Sequence, residues 1–284
     1  MTKVGIIHPG NMGVSVAASA ADGGHEVYWA SEGRSPQTRQ RAERVGLSDV
    51  GTLEALCQVC DVLLSVCPPH AAEDVADHVL SAGFTGLYLD GNAISPQRVV
   101  GMAGKMSGSG VDFVDGGIVG GPAWEPGQTW LYLSGERAEQ IAQLFAGGPL
   151  ETAVIGHHAG KASALKMCYA AWTKGSTALR CAVVASAAHL DVWEELAAQW
   201  DRDWPGFSEE TVGRVRRVTA KAWRFAGEME EIAATFEKAG LPGDFGRGAA
   251  SVYRRLGGFK GASETPGLEQ VLAALVAAEI EGQP

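Results

Sequence analysis

Apolar and polar positions along the first 150 residues fall into a repeating rhythm. Short apolar runs of strand length alternate with longer stretches whose apolar residues recur at helical spacing. Val4 to Ile7, His25 to Ala30, Asp61 to Val66, Gly86 to Asp90 and Val111 to Asp115 read as strands. Asn11 to Asp22, Pro36 to Val45, Leu53 to Val59, His70 to Leu80 and Pro96 to Met106 read as the helices between them. The stretch from Asp61 to Val66 is apolar almost throughout, as a strand covered on both faces would be. Trp130 to Ser134 and Thr152 to Ile155 add later strands around a helix from Ala138 to Phe145. This alternation predicts an α/β domain built on a doubly wound, mostly parallel sheet.

Beyond Gly156 the strand signals stop. Ala159 to Leu190 reads as one long helix of about 30 residues. Further helices are expected over Val192 to Trp200, Glu209 to Ala239, Gly243 to Leu256 and Pro266 to Ile280. Loop signals separate them at Pro205-Gly206, Gly240 to Gly243 and Gly257-Gly258. The expected organisation is an α/β domain over residues 1–156 and an all-helical domain over residues 157–284, joined by the long helix. Trp172, Trp193, Trp200, Trp204, Trp223 and Phe225 are expected to fill the helical core and a contact between copies, with walling of a substrate pocket the alternative for Trp172 and Trp223.

The first strand-to-helix turn reads His8-Pro9-Gly10-Asn11-Met12-Gly13. Against the dinucleotide fingerprint of three spaced glycines, Gly10 and Gly13 hold the second and third positions and His8 the first. The second glycine lets backbone approach a diphosphate, and the third lets helix and strand pack closely. The helix that follows presents free N–H groups to the phosphates. Position in a strand–turn–helix unit, more than the motif itself, makes this a Rossmann-type nucleotide site. The end of the second strand selects the cofactor. Ser31, Arg34, Ser35, Thr38 and Arg39 offer donors to a 2′-phosphate, and Glu32 could instead take ribose hydroxyls. NADP is favoured, with NAD the alternative. Val66, Cys67 and Pro68 follow another strand and should pass beside the cofactor, because ligands of such sheets lie outside the carboxyl ends of the strands.

Composition narrows the partners. The 284 residues carry a formal net charge of −10, with 46% hydrophobic and 20% charged residues. That balance gives no electrostatic footprint for nucleic acid or an anionic membrane. No basic, apolar leader is visible, and Val271 to Ile280, the longest apolar candidate, is half the length of a membrane helix. A cytoplasmic location is expected. Five cysteines, an odd count, argue against a disulfide framework. Cys57-x-x-Cys60 lacks two further ligands at zinc spacing, and His157-His158 lacks a third, so no metal site is expected. His70 opens a helix beside the expected cofactor loop and is a further site candidate.

Four stretches resemble the β-hydroxyacid dehydrogenases, which share their cofactor domain with 6-phosphogluconate dehydrogenase and the imine reductases. They are Pro9 to Gly13, Gly24 to Val27, Asp90 to Pro96 and Asp115 to Gly121. Gly160 to Met167, Trp172 to Gly175 and Lys221 to Ala233 are similar to a helical domain of uncharacterised function often fused to that cofactor domain. The resemblance implies an NADP-dependent oxidoreductase with its nicotinamide in a cleft between domains. It implies a homodimer whose helical domains interlock. Lys166, six residues after Gly160, matches the family's catalytic lysine, a proton relay for the substrate oxygen. Lys174 lies two turns on, Tyr169 is a possible second donor, and Asn92 matches a position near the nicotinamide.

Three departures bear on the substrate. Ala170 replaces the family's asparagine and Val119 its substrate-loop serine, although Gly120 and Gly121 keep their backbone N–H groups. Glu228 stands where the family has a lysine that meets a substrate carboxylate. Glu228 would repel a carboxylate, so an amine or imine substrate gains weight. The competing functions are therefore a C=O or CH–OH oxidoreductase, an imine reductase, and a non-catalytic NADP(H)-binding protein.

Overall fold

The computed structural model describes residues 1–277. The chain separates into two compact units, Met1–Met167 and Cys168–Pro284. The first contains an eight-stranded sheet, and the second is helical.

In the first unit the order is β1 (Lys3–Ile6), α1 (Asn11–Asp22), β2 (Glu26–Trp29), α2 (Pro36–Arg44), β3 (Ser48–Asp49), α3 (Leu53–Val59), β4 (Val62–Ser65), α4 (Ala72–Ser81), β5 (Leu87–Asp90) and α5 (Pro96–Gly108). Then follow β6 (Asp112–Val119), β7 (Trp130–Ser134), α6 (Ala138–Gln143), β8 (Glu151–Gly156) and the start of α7 (Lys161–Ala170). The spatial strand order is β3-β2-β1-β4-β5-β6-β7-β8. The pairs from β3 to β6 are parallel, β7 runs antiparallel to β6, and β8 is parallel to β7. The order reverses between β1 and β4, the switch point where a nucleotide crevice opens in such sheets.

Two apolar layers flank the sheet. One joins Val4, Ile6, Trp29, Leu64, Leu89 and Leu133 to α1 and α6. The other joins Leu63, Tyr88 and Phe113 to α3, α4 and α5. Cys57 and Cys60 belong to this second layer, where burial pushes their thiols up to about 11 and about 12. Among the described residues, no cluster of three or more histidine, cysteine and acidic side chains is placed to hold a metal.

Two features depart from the sequence expectation. The two-residue β3 has too little apolar pattern to be seen locally. β6 continues four residues past Asp115, because β7 pairs with Gly116 to Val119. Gly117 has a packing reason: a Cβ there would stand 2.6 Å from the Ala162 carbonyl. Its absence lets α7 lie directly on β6.

The long helix is interrupted. α7 is followed by a π-helical turn over Ala171–Gly175 and then by α8 (Ser176–His189). The helical unit continues through α9 (Trp193–Asp203), α10 (Phe207–Lys238), α11 (Asp244–Arg255) and α12 (Leu268–Val276). Residues 278–280 of the last expected helix lie outside the described residues. The core of this unit is made of small and aliphatic side chains, among them Cys181, Val184, Val215, Met229, Ile232 and Val271, together with Tyr253. The tryptophans do not fill it. Trp172, Trp204 and Trp223 are exposed, and α9 buries none of its residues. Small and aliphatic side chains with Tyr253 already close that core, and the indoles lie outside it, Trp193 and Trp200 half-buried against each other. No helix among the described residues is long and apolar enough to cross a membrane.

Candidate functional site

The turn between β1 and α1 is built for close approach. Gly10 caps α1 with φ −69°, and its N–H donates to the His8 carbonyl at 2.8 Å. A Cβ on Gly13 would lie 2.1 Å from that same carbonyl, so only glycine lets the helix sit on the turn. Gly10 differs: its φ suits any residue, and a Cβ there would meet nothing within 4 Å. The protein's own packing does not require glycine at this position. A ligand backbone or phosphate lying against the turn would. Asn11 is exposed and Met12 half-buried on the first turn of α1, whereas Pro9 is buried.

His8 and Arg34 converge on the crevice from the ends of β1 and β2. The His8 imidazole is pulled down to about 4 by burial and by the charge of Arg34, so it is uncharged at neutral pH. His8 Nδ1 and Arg34 Nε are both buried without a hydrogen-bond partner. Buried polar atoms left this way are uncommon, and an ordered water, an ion or a polar ligand can satisfy them. Ser35 caps α2 by accepting the Thr38 N–H at 3.3 Å, and the two hydroxyls are 3.1 Å apart. Arg41 donates to Thr38 Oγ1 at 2.9 Å and to the Pro9 carbonyl at 3.4 Å, tying α2 to the phosphate turn. Its role was not legible in sequence, where it is one of several arginines on a charged helix. Arg39 is spent on the Ser31 carbonyl at 2.7 Å. The buried Ser31 hydroxyl is committed to Asp49. These two therefore shape the end of β2 instead of reaching into the crevice. Glu32 is exposed.

Across the switch point, Asn92 is a strut. Its Oδ1 accepts the Cys67 N–H at 2.6 Å. Its Nδ2 donates to Ser65 Oγ at 3.1 Å and to Asp90 Oδ2 at 2.7 Å, and its backbone N–H reaches Asp90 Oδ1 at 3.1 Å. Both amide hydrogens are thus used inside the fold, and none is left to orient a substrate. Asn92 instead holds the loop Val66-Cys67-Pro68 against the end of β5. Burial pushes the Asp90 carboxyl up to about 7; the Asn92 hydrogen bonds oppose that rise, and the nearby charge of Asp115 adds to it. Burial pushes the Cys67 thiol up to about 12, which makes it a poor nucleophile. His70 is exposed on the short 3₁₀ turn after this loop, and His157 and His158 are exposed after β8.

Lys166 lies on α7 and reaches the end of β6. Its Nζ donates to the Ile118 carbonyl at 2.6 Å. Val119, Gly120 and Gly121 follow at once. Gly120 has φ +126°, and a Cβ there would stand 2.5 Å from the Gln128 carbonyl, so the tight turn requires glycine. Gly121 is exposed and accepts Thr129 Oγ1 at 2.8 Å through its carbonyl. Ser15 on α1 accepts the Ala123 N–H at 2.9 Å and donates to the Met12 carbonyl, joining this loop to the phosphate turn.

In the helical unit, Lys174 and Glu228 form a mostly buried ion pair. The π-helical turn frees carbonyls that an α-helix would pair. Tyr253 Oη donates to the Lys174 carbonyl at 2.7 Å, and Arg214 Nη2 donates to that of Thr173 at 3.1 Å. The Lys174 ammonium also lies 4.6 Å from the centre of the Phe225 ring. Burial holds Lys174 below the ordinary lysine range, with Glu228 opposing the shift. This corrects the sequence reading of both residues. Glu228 is no free anion repelling a carboxylate, and Lys174 is no free donor, because each cancels the other. Tyr169 is exposed, and Ala170 is buried.

Comparison with known proteins follows the same division. Residues 3–144 match the NAD binding domain of 6-phosphogluconate dehydrogenase, and residues 187–256 match a domain of unknown function. An uncharacterized 28.5 kDa protein in the 7S RNA 5′ region of Methanothermus fervidus is 30% identical over 175 residues, 60% of this chain and 65% of that protein. The chain thus spans a little under two thirds of that relative. A conserved protein of unknown function, described as structurally similar to 3-hydroxyacid dehydrogenases, superposes with a TM-score of 0.68 at 27% identity, covering 90% of this chain and 97% of its own. Mycobacterium tuberculosis 3-hydroxyisobutyrate dehydrogenase with L-serine gives a TM-score of 0.71 at 16% identity, covering 98% and 100%. Streptomyces aurantiacus imine reductase gives 0.56 at 17%, covering 95% and 98%. The last two likenesses speak for the fold alone. The first family match spans half of the chain, and with the glycine turn and switch-point crevice already described, the chain belongs to the family of the NAD binding domain of 6-phosphogluconate dehydrogenase.

Proposed function

We propose that this protein is an NADP-dependent oxidoreductase that moves hydride between the nicotinamide and a small C=O or CH–OH substrate, with Lys166 as proton relay. The observation that carries the reading is the Lys166 ammonium, 2.6 Å from the Ile118 carbonyl at the carboxyl end of β6 and beside the Gly120-Gly121 turn. It shares a unit with the open Gly10 wall and the unpartnered atoms of His8 and Arg34. Gly10 to Gly13 would cradle a diphosphate on the first turn of α1. Arg34, Ser35 and Thr38 would take a 2′-phosphate. The bound cofactor supplies or accepts the hydride. Lys166 holds a proton at Nζ and passes it to the substrate oxygen, or recovers it in the reverse direction.

A second reading, reduction of a C=N bond, is favoured by one observation. Neither Val119 at the end of β6 nor the buried Ala170 carries a donor for a substrate carboxylate. A homodimer belongs to the same proposal: the exposed Trp172, Leu179 and Trp223 are apolar surface that a second copy would cover.

Tryptophan-fluorescence titration with NADPH and NADH tests cofactor choice. NADPH consumption across carbonyl and imine panels, with native protein and Lys166→Ala, tests the chemistry. A large loss of carbonyl turnover in Lys166→Ala supports the relay. Undiminished carbonyl turnover would remove Lys166 from the mechanism. Tight NADPH binding without consumption on either panel would leave a cofactor-binding protein.

A further inference from the structure

Asp115 has no place in the cofactor crevice or the substrate turn, yet it is fully buried in the middle of β6. Its carboxylate gathers donors from the segment that opens α7. Oδ2 accepts the Gly160 N–H at 2.8 Å and the Ser163 N–H at 3.1 Å. Oδ1 accepts Ser163 Oγ at 2.6 Å. Ser134, directly opposite on β7, donates its hydroxyl to Asp115 Oδ2 at 2.9 Å and accepts the Ala162 N–H at 3.0 Å. The first turn of a helix has N–H groups with no partner inside the helix. Here three of the four at positions 160–163, those of Gly160, Ala162 and Ser163, are taken by Asp115 directly or through Ser134. A carboxylate at this end is also favoured by the helix dipole.

We propose that Asp115 is the positioning residue for Lys166. One strand grips α7 twice: Asp115 holds its first turn, and three residues on, the Ile118 carbonyl receives the lysine ammonium. Ser163 and Lys166 share the same spacing of three, so they lie on one face of α7. Gly117, between the two grips, is the residue whose missing side chain lets that face touch the strand. With the N-terminal grip loosened, α7 can rotate or lift, and Nζ leaves the end of β6. Asp115 acts through Lys166 and touches no reactant. The inference rests on the reading of Lys166 as the relay, but its structural content does not depend on turnover.

Site-resolved competitive acetylation of the native protein and Asp115→Asn, read by mass spectrometry, tests it. Asparagine keeps the shape but turns one acceptor into a donor facing the helix N–H groups. Lys166 should become about fivefold more reactive relative to Lys105, the factor one lost net hydrogen bond carries. NADPH affinity should stay within about twofold, since the glycine turn lies elsewhere in the sheet. Unchanged Lys166 reactivity in a folded Asp115→Asn would overturn the proposal, as would a rise accompanied by loss of NADPH binding. If Asp115→Asn does not fold, Ser163→Ala decides: about a twofold rise supports the proposal and no rise overturns it. Failure of Lys166→Ala to alter turnover would instead strike the proposed function and leave the labelling result standing.

Discussion

The Lys174 ammonium and the Glu228 carboxylate are paired inside the helical unit, with side chains 16% and 12% exposed. Fifty-four residues of chain separate them. The pair locks α10 to the π-helical turn, and it removes both charges from the list of groups available to a substrate.

Breaking that pair should be costly. Glu228→Gln leaves a buried ammonium unpaired, a loss of about 3 kcal/mol near neutrality. The sign of its pH dependence follows from Lys174. Burial holds its pKa below the ordinary lysine value, and removing Glu228 deepens the depression. A base depressed in the fold binds fewer protons there than in the unfolded chain, so stability rises with pH below about 10. Denaturant melts from about pH 7 to about pH 10 should show Glu228→Gln regaining stability more steeply than the native protein. Parallel curves would contradict this.

Asp90 works in the opposite sense. Its carboxyl is raised to about 7, chiefly by burial. The fold then binds more protons than the unfolded chain between about pH 4 and about pH 7. The stability that this group contributes is fully present below about pH 4 and is lost as pH rises through about 7. Native protein should therefore weaken between about pH 5 and about pH 8 more than Asp90→Asn does, by the shift in urea midpoint.

The two glycines of the phosphate turn should separate in their effects. Gly13→Ala places a Cβ 2.1 Å from the His8 carbonyl and should cost 2 kcal/mol or more, by about the usual scale of overpacking. Gly10→Ala meets only open space in the protein, so its melting temperature should hold while NADPH affinity falls about tenfold or more. Equal affinity in Gly10→Ala would show that no phosphate lies against this wall.

Arg34 should govern cofactor choice. Arg34→Ala removes a guanidinium with a buried, unpartnered Nε and should weaken NADPH binding by about 10- to 100-fold, the range of a charge-assisted hydrogen bond. NADH affinity should change little. Comparable losses for both cofactors, measured by fluorescence titration, would move Arg34 from the 2′-phosphate to a part the two share.

Local sequence determined the alternation of strands and helices, the turn at Gly10 to Gly13, the Arg34 and Ser35 signal after β2, and the change to helices beyond Gly156. Each depends on short-range periodicity or on sterics between near neighbours, which the order of residues records directly. Only the tertiary structure decided what the polar side chains do. Asn92 finds Cys67 across 25 residues, Asp115 finds Ser163 across 48, and Lys174 finds Glu228 across 54. Such partners are chosen by packing at long range, where burial makes an unpaired charge or amide expensive. An isolated Glu228 reads as an anion awaiting a ligand, and a packed Glu228 is already neutralised. For the exposed Trp172, Trp204 and Trp223, the apolar character is evident in the chain, but the tertiary structure closes the helical core with other side chains.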